Sequence, residues 1–177
     1  SGQKAKMAFD PQHGHAALRR GRWSSPGAEY FLTFCTEQRA AGLDRPDLTA
    51  AIWDEIAAME SKSLWRWRCG VVMPDHLHLL ITLVADAALP EVVRLCKGRL
   101  APVLRRSGLS WQRAYFDHRL RPDEDRLPVF LYVFMNPYRA GFLDVGSIWP
   151  GYRCTAEDWA WFEPLTSDSR PMPEWLA

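Results

Sequence analysis

The chain predicts an α+β fold, one antiparallel sheet with helices packed on it. Three observations carry that. Short β-branched and aromatic runs are interleaved with apolar residues at helical spacing, which makes two kinds of element. Two of the runs are separated only by Pro74-Asp75, too short a link for anything but a hairpin. At 177 residues, 47% hydrophobic and 24% charged, the chain can bury one core and has an ordinary globular composition.

In order, residues 1–28 are rich in Gly, Pro, Ser and Arg and read as an irregular basic arm, most distinctive at Leu18-Arg19-Arg20-Gly21-Arg22-Trp23. Ser1-Gly2 resembles a tag-cleavage scar, so residues 1–6 are expected to be a remnant and Met7 the native start. Glu29 to Thr36 is a first strand. Asp47 to Ser61 follows Pro46 and carries Leu48, Ile52, Ile56 and Met59 at helical spacing. Leu64–Met73 and Leu77–Val84 form the hairpin. Leu89–Arg106 is a second helix, with Pro90 tolerated in its first turn and Pro102 expected to kink or end it. Ser110–Leu120 alternates loosely as a fourth strand. A third helix runs from Asp123 or Pro128 through Phe134, to be bent or closed by Asn136-Pro137 and Gly141. The order of elements makes a ferredoxin-like split arrangement the simplest candidate. It would occupy residues 29–145, leaving 146–177 as a Trp- and Pro-rich acidic tail.

No apolar run reaches the roughly 18 residues of a membrane span and no signal-peptide pattern opens the sequence, so a cytoplasmic protein is expected. Cys35, Cys69, Cys96 and Cys154 form no Cys-x-x-Cys pair, which argues against a zinc ribbon or a disulfide scaffold. The net charge of +1 conceals an asymmetry. Glu91 to Arg121 holds eight basic residues against two acidic, and Cys154 onward holds five acidic against one basic. A basic middle suggests a polyanionic partner, and the acidic tail a segment that folds over the same surface and inhibits.

The chemistry starts at Met73-Pro74-Asp75-His76-Leu77-His78. Strand side chains two apart share a face roughly 7 Å from one another, so His76 and His78 can hold one metal ion; they can also be plain polar groups at a sheet surface. Asp75, adjoining them, would point the other way on a regular strand. On the third helix, Tyr132 and Asn136 are four apart and share a face. If that face looks at the histidines, Asn136 offers an amide oxygen to the metal and Tyr132 a phenol as nucleophile, although a core aromatic role would also account for the tyrosine. His118 is a second ligand or phosphate contact to weigh, with a surface role the alternative.

These residues resemble the HUH single-tyrosine transposases of the IS200-like superfamily, and specifically the REP-associated tyrosine transposase branch. The resemblance lies in Met73-Pro74-Asp75-His76-Leu77-His78-Leu79-Leu80, in Tyr132-Val133-Phe134-Met135-Asn136-Pro137 through Gly141, in Leu18 to Arg22, and in Trp111-Gln112-Arg113 with Phe116-Asp117-His118-Arg119. It implies a ferredoxin-like HUH nuclease fold and cleavage of single-stranded DNA, with Tyr132 joined to the 5′ phosphate. It implies a magnesium or manganese ion on His76, His78 and Asn136. The implied substrates are REP elements, hairpins preceded by a tetranucleotide; Arg19, Arg20 and Arg22 would read the tetranucleotide and Lys97, Arg99, Arg113, Arg119 and Arg121 would hold phosphates. Trp23 could stack on a base. Members of this branch are expected to act as monomers. Two rivals remain at this point: a hairpin-binding module without catalysis, and a histidine-triad hydrolase, which would need another histidine where Leu80 stands.

Overall fold

The structure is a computed structural model and describes residues 26–84 and 86–177. The arm that holds Arg19, Arg20, Arg22 and Trp23 lies outside the described residues. Five strands, β1 (Glu29–Cys35), β2 (Trp65–Val72), β3 (His76–Leu83), β4 (Phe116–Leu120) and β5 (Tyr152–Cys154), form one sheet in the order β4-β1-β3-β2-β5. Every pairing is antiparallel. The helices are α1 (Pro46–Ser61), α2 (Leu89–Arg106), α3 (Leu127–Arg139) and α4 (Ala156–Phe162). β1 and β2 run parallel with β3 inserted between them, which is the split arrangement expected.

Strand alternation sorts the side chains onto two faces. Tyr30, Leu32 and Phe34 of β1 and Leu77, Leu79, Ile81 and Leu83 of β3 pack with α1 and α2, while Phe31 and Leu80 pack with α3. β2 would break this pattern without its bulge. Trp65 and Trp67 face α1, the register shifts between Trp67 and Cys69, and from there Cys69 and Val71 face α3 while Val72 faces α1. Gly70 lets α1 come close: a Cβ there would sit 2.8 Å from the His78 carbonyl and 2.9 Å from the Trp53 ring.

The structure corrects three expectations. Pro137 does not close α3, which runs on to Arg139 and ends where Gly141 adopts φ +77. Pro102 likewise lies inside α2 without ending it. The fourth strand begins at Phe116 rather than Ser110, because the carbonyls of Gln112, Arg113 and Ala114 turn to the Lys97 ammonium at 2.6, 3.2 and 3.3 Å instead of joining a ladder; only Trp111 makes a single bridge, to Thr36.

Residues 146–177 are not an appendage. β5 pairs with β2, and Phe162, Trp159 and Trp175 surround Phe134 of α3. Asp158, 3% exposed, accepts hydrogen bonds from Arg68 and from the Trp161 indole, so its charge is spent internally. Burial opposes its ionisation, but those bonds win and hold its carboxyl below the usual range. Arg68 also pairs with Glu29, which accepts from Arg126 as well. The tail therefore builds the far edge of the sheet and buttresses α3 from behind.

Candidate active site

His76 and His78 open β3 on the face that α3 covers, and their ring centroids are 4.5 Å apart. Tyr132 comes down from α3 to lie 5.2 Å from the His78 ring and 5.8 Å from Phe31, centroid to centroid. Pro128 falls in the first turn of α3, where its missing N–H costs nothing, so it starts the helix without deflecting Tyr132. Asn136, one turn on, lines the same cavity as the His76 side chain. Phe130 and Phe134, two residues away from Tyr132 on either side, point to the opposite side of α3 and into the C-terminal aromatic cluster. A cavity of about 400 Å³ is lined by Thr33, Cys35, Arg39, His76, His78, Phe116, Tyr132 and Asn136. Among the described residues none of the tail lines it, so the acidic segment does not cover this cavity.

Each histidine has one ring nitrogen occupied. His78 Nδ1 lies 2.8 Å from Thr33 Oγ1, its cross-strand partner on β1. His76 Nδ1 lies 2.6 Å from Asp75 Oδ1. Asp75 can reach because β3 begins only at His76: Asp75 belongs to the turn, and the strand alternation that was expected to aim it away does not apply. Its second oxygen accepts from Arg39 Nε at 2.8 Å. Burial works against its charge, yet His76 and Arg39 together keep the carboxyl ionised to lower pH than usual.

With Nδ1 of both rings engaged, Nε2 is the nitrogen left to carry a ligand lone pair. Burial also depresses both histidine pKa values, His78 far below the ordinary value and His76 less because Asp75 opposes the effect. Neutral imidazoles are what a metal needs. Among the described residues there is no cluster of three His, Cys, Asp or Glu arranged for a metal, and an ion held here would have two imidazoles and the Asn136 amide as its donors. All three are uncharged and would leave a divalent cation its full charge and open positions for phosphate oxygens and water. The residues fit such an ion.

Compared with known families, residues 24–120 match the one described as "Transposase IS200 like". That span is more than half of the chain. The chain belongs to the IS200-like transposase family. The match ends at β4, so the family assignment and the arrival of Tyr132 and Asn136 beside the histidines are separate observations. A Haemophilus influenzae protein provisionally named a REP-associated tyrosine transposase is 30% identical over 96 residues, which cover 45% of this chain and 53% of that protein. The chain thus spans about half the length of that curated relative. A solved structure of a REP-associated tyrosine transposase bound to a REP hairpin superimposes with a TM-score of 0.63 at 22% identity, over 74% of this chain and 79% of the other. That likeness shows a shared fold.

The basic residues expected to hold DNA in this member of the IS200-like family are not all placed alike. Lys97 is committed to the three carbonyls described above and sits over the Phe34 ring, and Arg99 pairs with Glu55 of α1 at 2.6 Å. Both belong to the helical layer behind the sheet. Arg113, Arg119 and Arg121 are exposed and none lines the cavity: Arg113 precedes β4, Arg119 lies on β4 opposite Tyr30 and so on the α1–α2 face, and Arg121 follows the strand. His118 is turned to Glu124, with Nε2 2.9 Å from Oε1, and does not line the cavity. A larger groove of about 530 Å³ runs along α2 between Arg94, Arg105, Arg113 and Trp111, but on the face away from the histidines.

Thr33, Arg39 and Asp75 were not identified from sequence. Thr33 was within reach, since β1 alternation puts it on the face of Phe31, but recognising it required knowing that β1 lies beside β3. Nothing in the sequence marks Arg39.

Proposed function

We propose that this transposase cleaves and rejoins single-stranded DNA at REP-type hairpins through a covalent 5′-phosphotyrosine on Tyr132. The observation that carries the reading is that Tyr132 and Asn136, from a helix outside the matched family span, meet His76 and His78 at one cavity. A magnesium or manganese ion on His76, His78 and Asn136 would supply polarisation of the scissile phosphate. The chain's own residues do the rest. Asp75 and Thr33 fix the imidazole tautomers. The C-terminal aromatic cluster holds α3 at the distance that puts the phenol beside the histidines. Tyr132 Oη attacks phosphorus, the bond from phosphorus to the 3′ oxygen breaks, and the phenolic proton leaves for solvent as the 3′ oxygen takes one up. Exposed Arg113, Arg119 and Arg121 hold backbone phosphates, and Arg19, Arg20 and Arg22 read the tetranucleotide.

The active unit in this reading is a monomer. Among the described residues no helix is long and apolar enough to cross a membrane. The test is incubation with a labelled hairpin oligonucleotide and Mn²⁺ or Mg²⁺ followed by a denaturing gel. A metal-dependent covalent adduct that Tyr132→Phe abolishes while binding persists is expected; binding without adduct would leave only a hairpin-binding module.

A further inference from the structure

We infer that Arg39 is a phosphate-binding residue of the active site, its guanidinium fork taking the non-bridging oxygens of the scissile phosphodiester; this rests on the strand-cleavage reading above. Arg39 lines the same cavity as His76, His78, Tyr132 and Asn136. It arrives there by an unusual backbone. Gln38 and Arg39 both adopt left-handed conformations, φ 52 and φ 56, which non-glycine residues carry only against a steric penalty. The surroundings hold this turn in place. The Thr36 N–H donates to the Asp75 carbonyl at 3.0 Å, and the buried Thr36 hydroxyl lies 2.8 Å from the Ala40 carbonyl and 3.1 Å from that of Asp75. The turn is thereby pinned to the residue that orients His76.

The guanidinium is aimed but not saturated. Nε donates to Asp75, which fixes the plane of the group. Among the described residues Nη1 meets the Cys35 sulfur at 3.0 Å, a weak acceptor, and Nη2 lies 3.3 Å from His76 Nδ1, whose proton is already given to Asp75. The two terminal nitrogens thus offer a parallel pair of N–H donors without a strong acceptor, and the side chain is 50% exposed, open to a ligand. That fork matches two oxygens of a phosphate. An ion on two imidazoles and an amide cannot contact every oxygen of the phosphodiester, and a fixed cation on the other side would stabilise the charge that builds as Tyr132 attacks.

The experiment measures single-turnover adduct formation on two oligonucleotides, one with an ordinary scissile linkage and one with an uncharged methylphosphonate there. The proteins are wild type, Arg39→Ala and Arg39→Lys, each checked by thermal melting. Arg39→Ala should slow the ordinary substrate about 10²-fold, as loss of one transition-state donor does elsewhere. On the methylphosphonate the gap between variant and wild type should close. Arg39→Lys, which can keep the ion pair with Asp75 and so remain folded, should recover only part of the rate because an ammonium lacks the fork. Wild-type rates in both variants, or equal slowing on both substrates, would overturn the role of Arg39 while leaving the transposase reading standing. No adduct from the wild type on the ordinary linkage would overturn the reading itself, and the role of Arg39 with it.

Discussion

Thr33→Val removes one oxygen from the middle of the site and nearly nothing else. The two side chains have the same shape, and Thr33 is 9% exposed against 4% for His78, so the loss falls on the 2.8 Å bond between Thr33 Oγ1 and His78 Nδ1. For Nε2 to present its lone pair, Nδ1 must hold the proton, and Thr33 Oγ1 is what accepts it. Removing that acceptor strands a buried N–H, at a cost of about 1–3 kcal/mol. For a domain of this size that is roughly 2–12 °C in Tm. The ring is also released to take the other tautomer or to rotate, and loss of an outer partner of a metal-bound histidine typically costs about 10–100-fold in metal affinity. The assays are a thermal melt and a Mn²⁺ titration of cleavage. The variant should need that much more metal for half-maximal rate and approach wild-type rate when saturated. An unchanged metal requirement with only a lowered Tm would refute the claim that Thr33 prepares His78 as a ligand.

Other consequences follow from the same framework. Arg68→Met leaves Asp158 and Glu29 largely buried without their shared cation and should destabilise by about 3 kcal/mol, read by chemical denaturation; a change under 1 kcal/mol would mean that the clamp between the tail and the sheet is ornamental. Since burial holds His78 and His76 below the ordinary histidine pKa of 6.5, the unfolded chain takes up protons first as the pH falls. Their contribution to stability is complete above pH 6.5 and is lost as the pH drops from there through the folded-state values. His78→Gln should flatten that part of a stability profile between pH 7 and 5, and an unaltered slope would contradict it.

Much of this architecture was legible in sequence because it is local. The apolar period marks α1 and α2, the short link at Pro74-Asp75 forces the hairpin, and the His-Leu-His step can only put two imidazoles on one face. Tyr132 and Asn136 were legible for the same reason, as a helical i, i+4 pair. What was not legible depends on long-range packing. Lys97 reads as a free cation until the loop at 112–114 folds back onto it. Asp158 reads as tail charge until Arg68, ninety residues earlier, is brought alongside by a bulge that sequence does not announce. Asp75 reads as facing away as long as it is counted as strand. The chain turns there instead, and a residue that alternation would discard becomes the group that orients His76. Pro137 misleads in the opposite way. Its cost to α3 is borne because both sides of that helix are packed, against the sheet and against the C-terminal aromatics.

The central claim is that the phosphate is transferred to Tyr132 and to no other residue. Mass spectrometry of the protein after reaction with a hairpin oligonucleotide and Mn²⁺, with the DNA trimmed by nuclease, measures that directly. The account predicts a nucleotide mass on the peptide containing Tyr132, absent when the metal is chelated and absent from His76→Ala. An adduct on any other residue, or one that forms equally without metal, would contradict it.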